Sequence, residues 1–489
     1  MKKAIFGCVA ILFFGTAGFS QQKDGIKAIK ESDLKRDLYA MADDHFRGRE
    51  AGTVDELKAA VWLADQARIA HLEPAGDDGT YFQFFSLWRN RIAENSSVTI
   101  GSHTLQLWKD AALLQTAPAQ VDADLVFISD PQTNKIDLKG KAVALILSFK
   151  GDNDPYLKIN PRRYVLQLVR AQSARLIEKG ASAVFLVTDD SIDPTFLPRY
   201  AVNLARGLYD IEGGVNARVT TKVPVVWLPA SFAKEVQETG KRVRISVNVE
   251  RFQYPSVNVV AKVNGTDKAL KEEHILYGGH IDHDGVRYPL AGDSIYNGAD
   301  DNASVNVALL AIGRAFVAKP AKRSALFIWH GAEERGLLGS YWYAKHPTVP
   351  AKSIVAVLNG DMIGNNHPDS AALLGGTSPE HRNSPDLYNA ALKANADGPK
   401  FKLDQEWDKE SHREGFYYRS DHLPYVKQGY PAIFFTTLTH PIYHTPQDEA
   451  KTINYPKLKK VTDWMYLTGW AVAEAPNKPA LDPAFKLLH

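Results

Sequence analysis

Cysteine is almost missing from this chain: there is one, Cys8. It lies inside the leader "MKKAIFGCVAILFFGTAGFSQQ", where Lys2 and Lys3 precede an apolar stretch over 4–19 that ends in small residues. That pattern reads as a secretory signal peptide covering 1–20, cut near Ser20, and directs the chain to a secreted or periplasmic location. The apolar stretch is shorter than the ~20 residues of a membrane span, and Cys8 sits too early in it for lipid attachment. The mature chain therefore has no thiol. Disulfides, a cysteine nucleophile and cysteine-held zinc are excluded, and any metal must be held by His, Asp and Glu.

An excess of charge of one sign is also lacking. Losing Lys2 and Lys3 takes Lys plus Arg from 58 to 56, equal to Asp plus Glu at 56. A neutral mature protein gives no reason to invoke nucleic acid or an anionic membrane as partner. A second long apolar run, an internal repeat and a low-complexity tract are absent too, so no stable membrane span is expected after signal cleavage. The full chain has 489 residues, 45% hydrophobic and 23% charged, enough for two or three globular domains with a large core.

The texture changes twice along the chain. "ESDLKRDLYAMADDHF" and "TVDELKAAVWLADQARIAHL" carry apolar residues at three- and four-residue steps and predict helices, with "RGREAG" breaking the pattern at Gly48 and Gly52. From 96 onward short β-rich runs follow: "SSVTIG", "ADLVFIS", "KAVALILSF", then a helical "RYVLQLVRAQSARLIEKG" and the strand "SAVFLVT". After Tyr254, "ILYGG", "SALFIWH", "SIVAVLNGD" and "PAIFFTT" are continuous apolar runs, as expected of strands covered on both faces. The first two are separated by "ASVNVALLAIGRAFVA", with Val305, Leu309, Ile312 and Phe316 on one helical face. This alternation predicts an α/β sandwich with a mainly parallel central sheet, interrupted by an inserted β-rich domain.

Ligands of such folds gather beyond the carboxyl ends of the strands. After "ILYGG" come His280 and Asp282; after "SALFIWHGA", Glu333 and Glu334; after "SIVAVLNG", Asp361; after "PAIFFTTLTHPIY", His444. Asp300 and Asp301 precede the intervening helix. Each has an ordinary explanation when taken alone. A paired Glu favours a helix start, an Asp caps a helix or makes an Asx-turn, and a single His is a loop residue. Delivered together by four strand ends and one helix start, they point to a metal site.

The segments "GHIDH", "GADDNAS", "GAEERGLLGS", "NGDMIG", "RSDHLPY" and "YHTP" resemble those of the co-catalytic di-zinc exopeptidases, the family of bacterial leucyl-type aminopeptidases, glutamate carboxypeptidase, glutaminyl cyclases and the non-enzymatic transferrin receptor. "DLKGKAVALILSFKG" and "EKGASAVFLVTD" resemble a protease-associated domain. The resemblance implies a three-layer α/β/α sandwich with a mainly parallel mixed sheet. Its peptidase domain would run over 21–104 and 253–489, with the protease-associated insert at 105–252. It implies two Zn²⁺: His280 and Asp361 on one, Glu334 and His444 on the other, Asp301 bridging. Glu333 would be the general base for a nucleophilic hydroxide shared between the ions. Asp282 would hydrogen-bond the His280 imidazole and fix its tautomer, and Tyr443 would donate to the oxyanion. The peptide bond after Asp301 is expected to be cis. His283, Asp284 and His440 read as pocket wall or loop, and His330 as structural.

The chemistry suits these residue types. Zinc accepts imidazole nitrogen and carboxylate oxygen, and two metals ~3.5–4 Å apart share the nucleophile and stabilise the oxyanion. A base beside cations is pulled down in pKa, so burial must offset that if Glu333 is to carry the proton. The leading expectation is a secreted aminopeptidase acting on peptides, with "RSDHLPY" placing the backbone around Arg419 near the substrate amine. A glutamate-carboxypeptidase-like enzyme is the alternative; it would need cations such as Arg162 and Arg163 to hold the substrate carboxylate. A glutaminyl cyclase shares the fold but not the insert. A non-catalytic binding protein on the same scaffold would have lost ligands, and none is lost here. Side-chain preference and oligomeric state are not written in the sequence.

Overall fold

The computed structural model describes residues 24–487 except 115–116, 132–134, 155–160, 216–220 and 239; the expected signal peptide lies outside the described residues. The chain divides into two compact units. One comprises 1–85, 256–286 and 295–489, the other 86–255 and 287–294. No helix among the described residues is long and apolar enough to cross a membrane.

The first unit is built on a mixed sheet with a parallel centre. Strand His274–His280 lies between Ser324–His330 and Ile354–Gly360, parallel to both, and Ala432–Thr436 continues beyond Ile354–Gly360 in the same direction. Antiparallel neighbours close this core: Ser370–Leu374 beside Ala432–Thr436, and Val259 to Val263 beside Ser324–His330. The four parallel strands are the four continuous apolar runs of the sequence, and every residue in them is buried. Alternate side chains feed two separate cores, as strand geometry requires. Ile275, Tyr277, Phe327 and Trp329 pack with Leu309, Phe316, Leu63 and Trp464. Leu276, Leu326 and Ile328 pack with Tyr343 and Tyr425. Helices therefore cover both faces of the sheet.

Helix Ser304–Ala318 departs from the amphipathic pattern expected for it. Every residue from Ser304 to Gly313 is buried, because strands lie under one side and helices Glu31–Met41 and Tyr455–Glu474 over the other. A helix enclosed all round no longer needs a polar stripe. Close packing also explains the paired glycines before His280. A Cβ on Gly279 would stand 2.5 Å from Val305 Cγ1, and one on Gly278 would stand 3.0 Å from the His330 ring. Overpacking of that kind costs about 1–3 kcal/mol, so Gly279 lets the strand approach the helix this closely, while Gly278 makes room for His330 of the neighbouring strand. Trp329 Nε1 donates to Asn306 O across the same contact.

The second unit carries its own eight-stranded sheet. Ala119–Ile128, Ala142–Leu147, Ala183–Thr188 and Val225–Leu228 run parallel, and the remaining strands pair antiparallel. Helix Pro161–Glu178 crosses over between the second and third of these, so the block expected to be β-rich is an α/β unit in its own right.

Candidate metal centre

The parallel strands end on one edge of the sheet, and the polar residues sit just past those ends. His280 is the last residue of its strand, in register with His330 at the end of the neighbour. Asp361 directly follows Ile354–Gly360, and its N–H donates to Phe435 O. Glu333 and Glu334 lie in the loop after His330, His444 in the loop after Thr436, and Asp301 in the turn before helix Ser304–Ala318.

All five expected ligands come together with Glu333. Asp301 splits its two oxygens between two groups: Oδ1 is 3.2 Å from His280 Nε2, and Oδ2 is 3.1 Å from His444 Nε2. His280 Nε2 is also 3.5 Å from Asp361 Oδ1 and 3.9 Å from Glu333 Oε2. His444 Nε2 is 3.2 Å from Glu334 Oε1. Two clusters capable of holding a metal result, His280–Glu333–Asp361 and His283–Asp301–Glu334–His444. The Asp301–Asn302 peptide bond is cis.

The donor set fits two small divalent cations. His280 Nε2, Glu334 Oε1 and Asp361 Oδ1 are buried without a hydrogen bond of acceptable geometry, which is costly for polar atoms in a protein interior. Each of the three aims at the shared centre. Imidazole nitrogen and carboxylate oxygen without sulfur suit zinc among the common metals.

The protein's own charges show the same preference for cations. Burial disfavours a charged His280, yet Glu333 and Asp361 hold its pKa well above the ordinary imidazole value. His444 is raised well above it too, against burial, by Glu334, Tyr443 and Asp284. Glu334 and Asp301 are held far below the usual carboxylate range despite burial, chiefly by the neighbouring histidines. Asp361 is pushed up to about 6 by burial. Glu333 is raised well above its ordinary value by burial, with Asp421, Asp361 and Glu334 adding to it and His280 opposing. Metal binding to such a site releases protons.

Asp282 does not do what was expected of it. His280 Nδ1 is held by the backbone carbonyl of Asp282, 2.9 Å away, while the carboxylate stands 4.0 Å off. That carboxylate accepts the N–H of Glu333 (2.8 Å) and of Glu334 (3.2 Å) instead. Two otherwise unpaired loop N–H groups outcompete one imidazole, so Asp282 orients the two glutamates rather than the histidine. The carbonyl contact still fixes a proton on Nδ1 and turns Nε2 to the site.

Two residues read as pocket wall take part directly. His283 Nδ1 is 3.0 Å from Glu334 Oε1, and Asp284 Oδ2 is 3.0 Å from His444 Nδ1. The crowding of "HIDHDG" was the available signal. Beyond the strand end, however, nothing periodic says which side chains turn inward. His440 sits 3.2 Å from Asp300 Oδ2, and His330 lies against Tyr425 (2.8 Å) and Asp421 (3.4 Å) behind the site.

Residues 258–468 match the profile of peptidase family M28. The chain is a metallo-exopeptidase, and it is similar to the M28 peptidases over that segment. A probable leucine aminopeptidase of Arthroderma otae is 23% identical over 361 residues, covering 71% of this chain and 86% of that protein. A second, from Trichophyton verrucosum, is 30% identical over 263 residues, covering 52% of this chain and 64% of that one. Among solved structures, the aminopeptidase of Aneurinibacillus sp. strain AM-1 superposes with a TM-score of 0.58 at 19% identity, over 94% of this chain and 98% of that one, and shows the shared fold.

In this exopeptidase the cleft over the two clusters is walled by Met362, Phe416, Arg419 and Tyr443. Arg419 is already committed. It donates to buried Glu414 at 2.8 Å and to the Tyr443 hydroxyl at 3.1 Å, and lies over the Phe416 ring. Burial raises the Tyr443 pKa, while His444 and Arg419 work against that rise.

Proposed function

We propose that this enzyme is a secreted or periplasmic zinc aminopeptidase that removes N-terminal residues from peptides. The observation that carries the reading is Asp301, whose two oxygens each serve one ligand cluster, with Glu333 beside them. His280 and Asp361 would hold one zinc, Glu334 and His444 the other, and Asp301 both. When bound, the two ions would supply Lewis acidity and make water acidic enough to attack at neutral pH. Glu333 takes the proton of the attacking water and returns it to the leaving nitrogen. Asp282 keeps Glu333 and Glu334 in place through their N–H groups. Arg419 fills an acceptor position on the Tyr443 oxygen, which leaves the phenolic proton to be donated to the oxyanion. Met362 and Phe416 present apolar walls that keep water from the reacting bond.

The choice of chain end is supported by charge. A carboxypeptidase needs a free cation to hold the substrate carboxylate, and the arginine that lines this cleft is spent on Glu414 and Tyr443. The similarity to probable leucine aminopeptidases points the same way. The block 105–252 we read as a protease-associated domain, on the strength of its sequence motifs.

Matched peptides decide between the ends. Acetylating the substrate amine removes a charged hydrogen bond worth about 1.5–3 kcal/mol, so acetylated peptides should be cut roughly 10–150-fold more slowly even before any steric clash. C-terminally amidated peptides should be shortened from the N-terminus at the normal rate, as read by mass spectrometry. Loss of C-terminal residues from acetylated peptides would instead establish a carboxypeptidase, with Arg162 and Arg163 the first residues to replace.

A further inference from the structure

The bridging carboxylate hangs from a short segment, Asn297 to Asp301, whose backbone is gripped from two sides by buried ionic side chains far apart in the sequence. On one side is Arg49, fully buried, from the "RGREAG" segment that breaks the N-terminal helices. Its Nη1 donates to Asn297 O (2.6 Å) and its Nη2 to Gly298 O (3.0 Å). The same guanidinium reaches Ile281 O (2.7 Å) and Met41 O (3.0 Å), and the Arg49 carbonyl takes the His283 N–H. On the other side is Asp448, also fully buried, from the loop that follows His444. Its carbonyl accepts the Ala299 N–H at 3.0 Å. Its carboxylate accepts Asp300 N–H at 2.9 Å and Asp301 N–H at 3.1 Å.

Every residue from 297 to 301 thus gives a backbone group to one of the two: carbonyls to the cation, N–H groups to the anion. Gly298 within the segment has φ +57°, and a Cβ there would fall 2.1 Å from Asp301 O and 2.5 Å from the His283 ring. The turn is therefore closed tightly enough to exclude any side chain. Arg49 also faces the carboxylates of Asp282, Asp448, Asp301 and Glu334, a positive charge inside a group of negative ones.

We infer that Arg49 and Asp448 are positioning residues for the bridging carboxylate, fixing the backbone of Asn297 to Asp301 so that the two ligand clusters stand at metal-binding distance within the protein itself. Neither side chain touches substrate or reacting atoms. The inference rests on the dinuclear metal reading and adds to it the device that sets the bridge.

Zinc titration of metal-stripped protein by calorimetry separates the two claims. Wild type must take up two zinc ions per chain; if it does not, the metal reading itself fails, whatever the variants do. Given two, Arg49→Lys and Asp448→Asn should each weaken zinc binding by roughly 10–100-fold, the usual effect of removing a group that orients ligands. Lysine cannot span the carbonyls, and asparagine turns a donor toward N–H groups. Arg323→Lys is the control: Arg323 is equally buried and donates to Glu273 and to the carbonyls of Val472 and Ala475, away from the metal centre. It should lower the melting temperature and leave zinc affinity unchanged. Wild-type affinity in Arg49→Lys and Asp448→Asn would overturn the inference. Hydrogen exchange on metal-free wild type gives a second reading that needs no variant to fold. The amides of Asp300 and Asp301 should be strongly protected without zinc, and exchange at the rate of an open loop would overturn it equally.

Discussion

Glu333→Gln is expected to keep both zinc ions and lower kcat by about 10²–10⁴-fold, the range that general-base catalysis contributes. Glutamine preserves the shape of the side chain and its N–H tether to Asp282, but it cannot accept the proton of the attacking water. The structure makes this substitution informative because Glu333 is close enough to His280 and Asp361 to be counted among possible ligands. Zinc content measured beside the rate distinguishes the roles. A variant that is slow and fully loaded identifies a base, whereas one that has lost a zinc identifies a ligand. Glu334→Gln should show the second behaviour at one site, since Glu334 Oε1 lies 3.2 Å from His444 Nε2 and 3.0 Å from His283 Nδ1. Were the two variants to exchange behaviour, the roles within the "EE" pair would be reversed.

Asp301→Ala should abolish activity and remove both ions together. Asp301 offers one oxygen to each cluster: one is 3.2 Å from His280 and the other 3.1 Å from His444. Taking it away leaves each cluster short of a donor and leaves His280 and His444 without the carboxylate between them. Elemental analysis of the purified variant reads this directly. Retention of one tightly bound zinc would show that Asp301 serves a single ion and does not bridge.

The reach of sequence reading follows from local physics. The four central strands were legible because strands covered on both faces must be apolar throughout, and "ILYGG" to "PAIFFTT" are. Residues just past their carboxyl ends and at the start of the intervening helix can then be picked out by position and residue type, and the resemblance to the di-zinc exopeptidases singles out His280, Asp301, Glu333, Glu334, Asp361 and His444 among them. Beyond the strand ends the periodicity stops. Nothing in "HIDHDG" tells which side chain faces in, so the sequence alone leaves His283 and Asp284 in the pocket wall. For Asp282 the sequence suggests the wrong donor, because the competing N–H groups of Glu333 and Glu334 arrive from 51 and 52 positions away. Arg49 was unreadable for the same reason: its partner Gly298 is 249 positions distant. "RGREAG" looked like a simple interruption between helices, whereas Arg47, Gly48 and Arg49 all adopt positive φ to turn the guanidinium inward.

The most direct test of the central claim couples metal content to turnover. Protein stripped by a chelator should hydrolyse an amino-acid nitroanilide at no measurable rate. Zinc added back should restore activity in step with binding, reaching its full value at two ions per chain. A metal-free preparation that remains fully active would contradict the account, because the chain has no thiol beyond Cys8 and the buried carboxylates and imidazoles of the site would have no cation to serve.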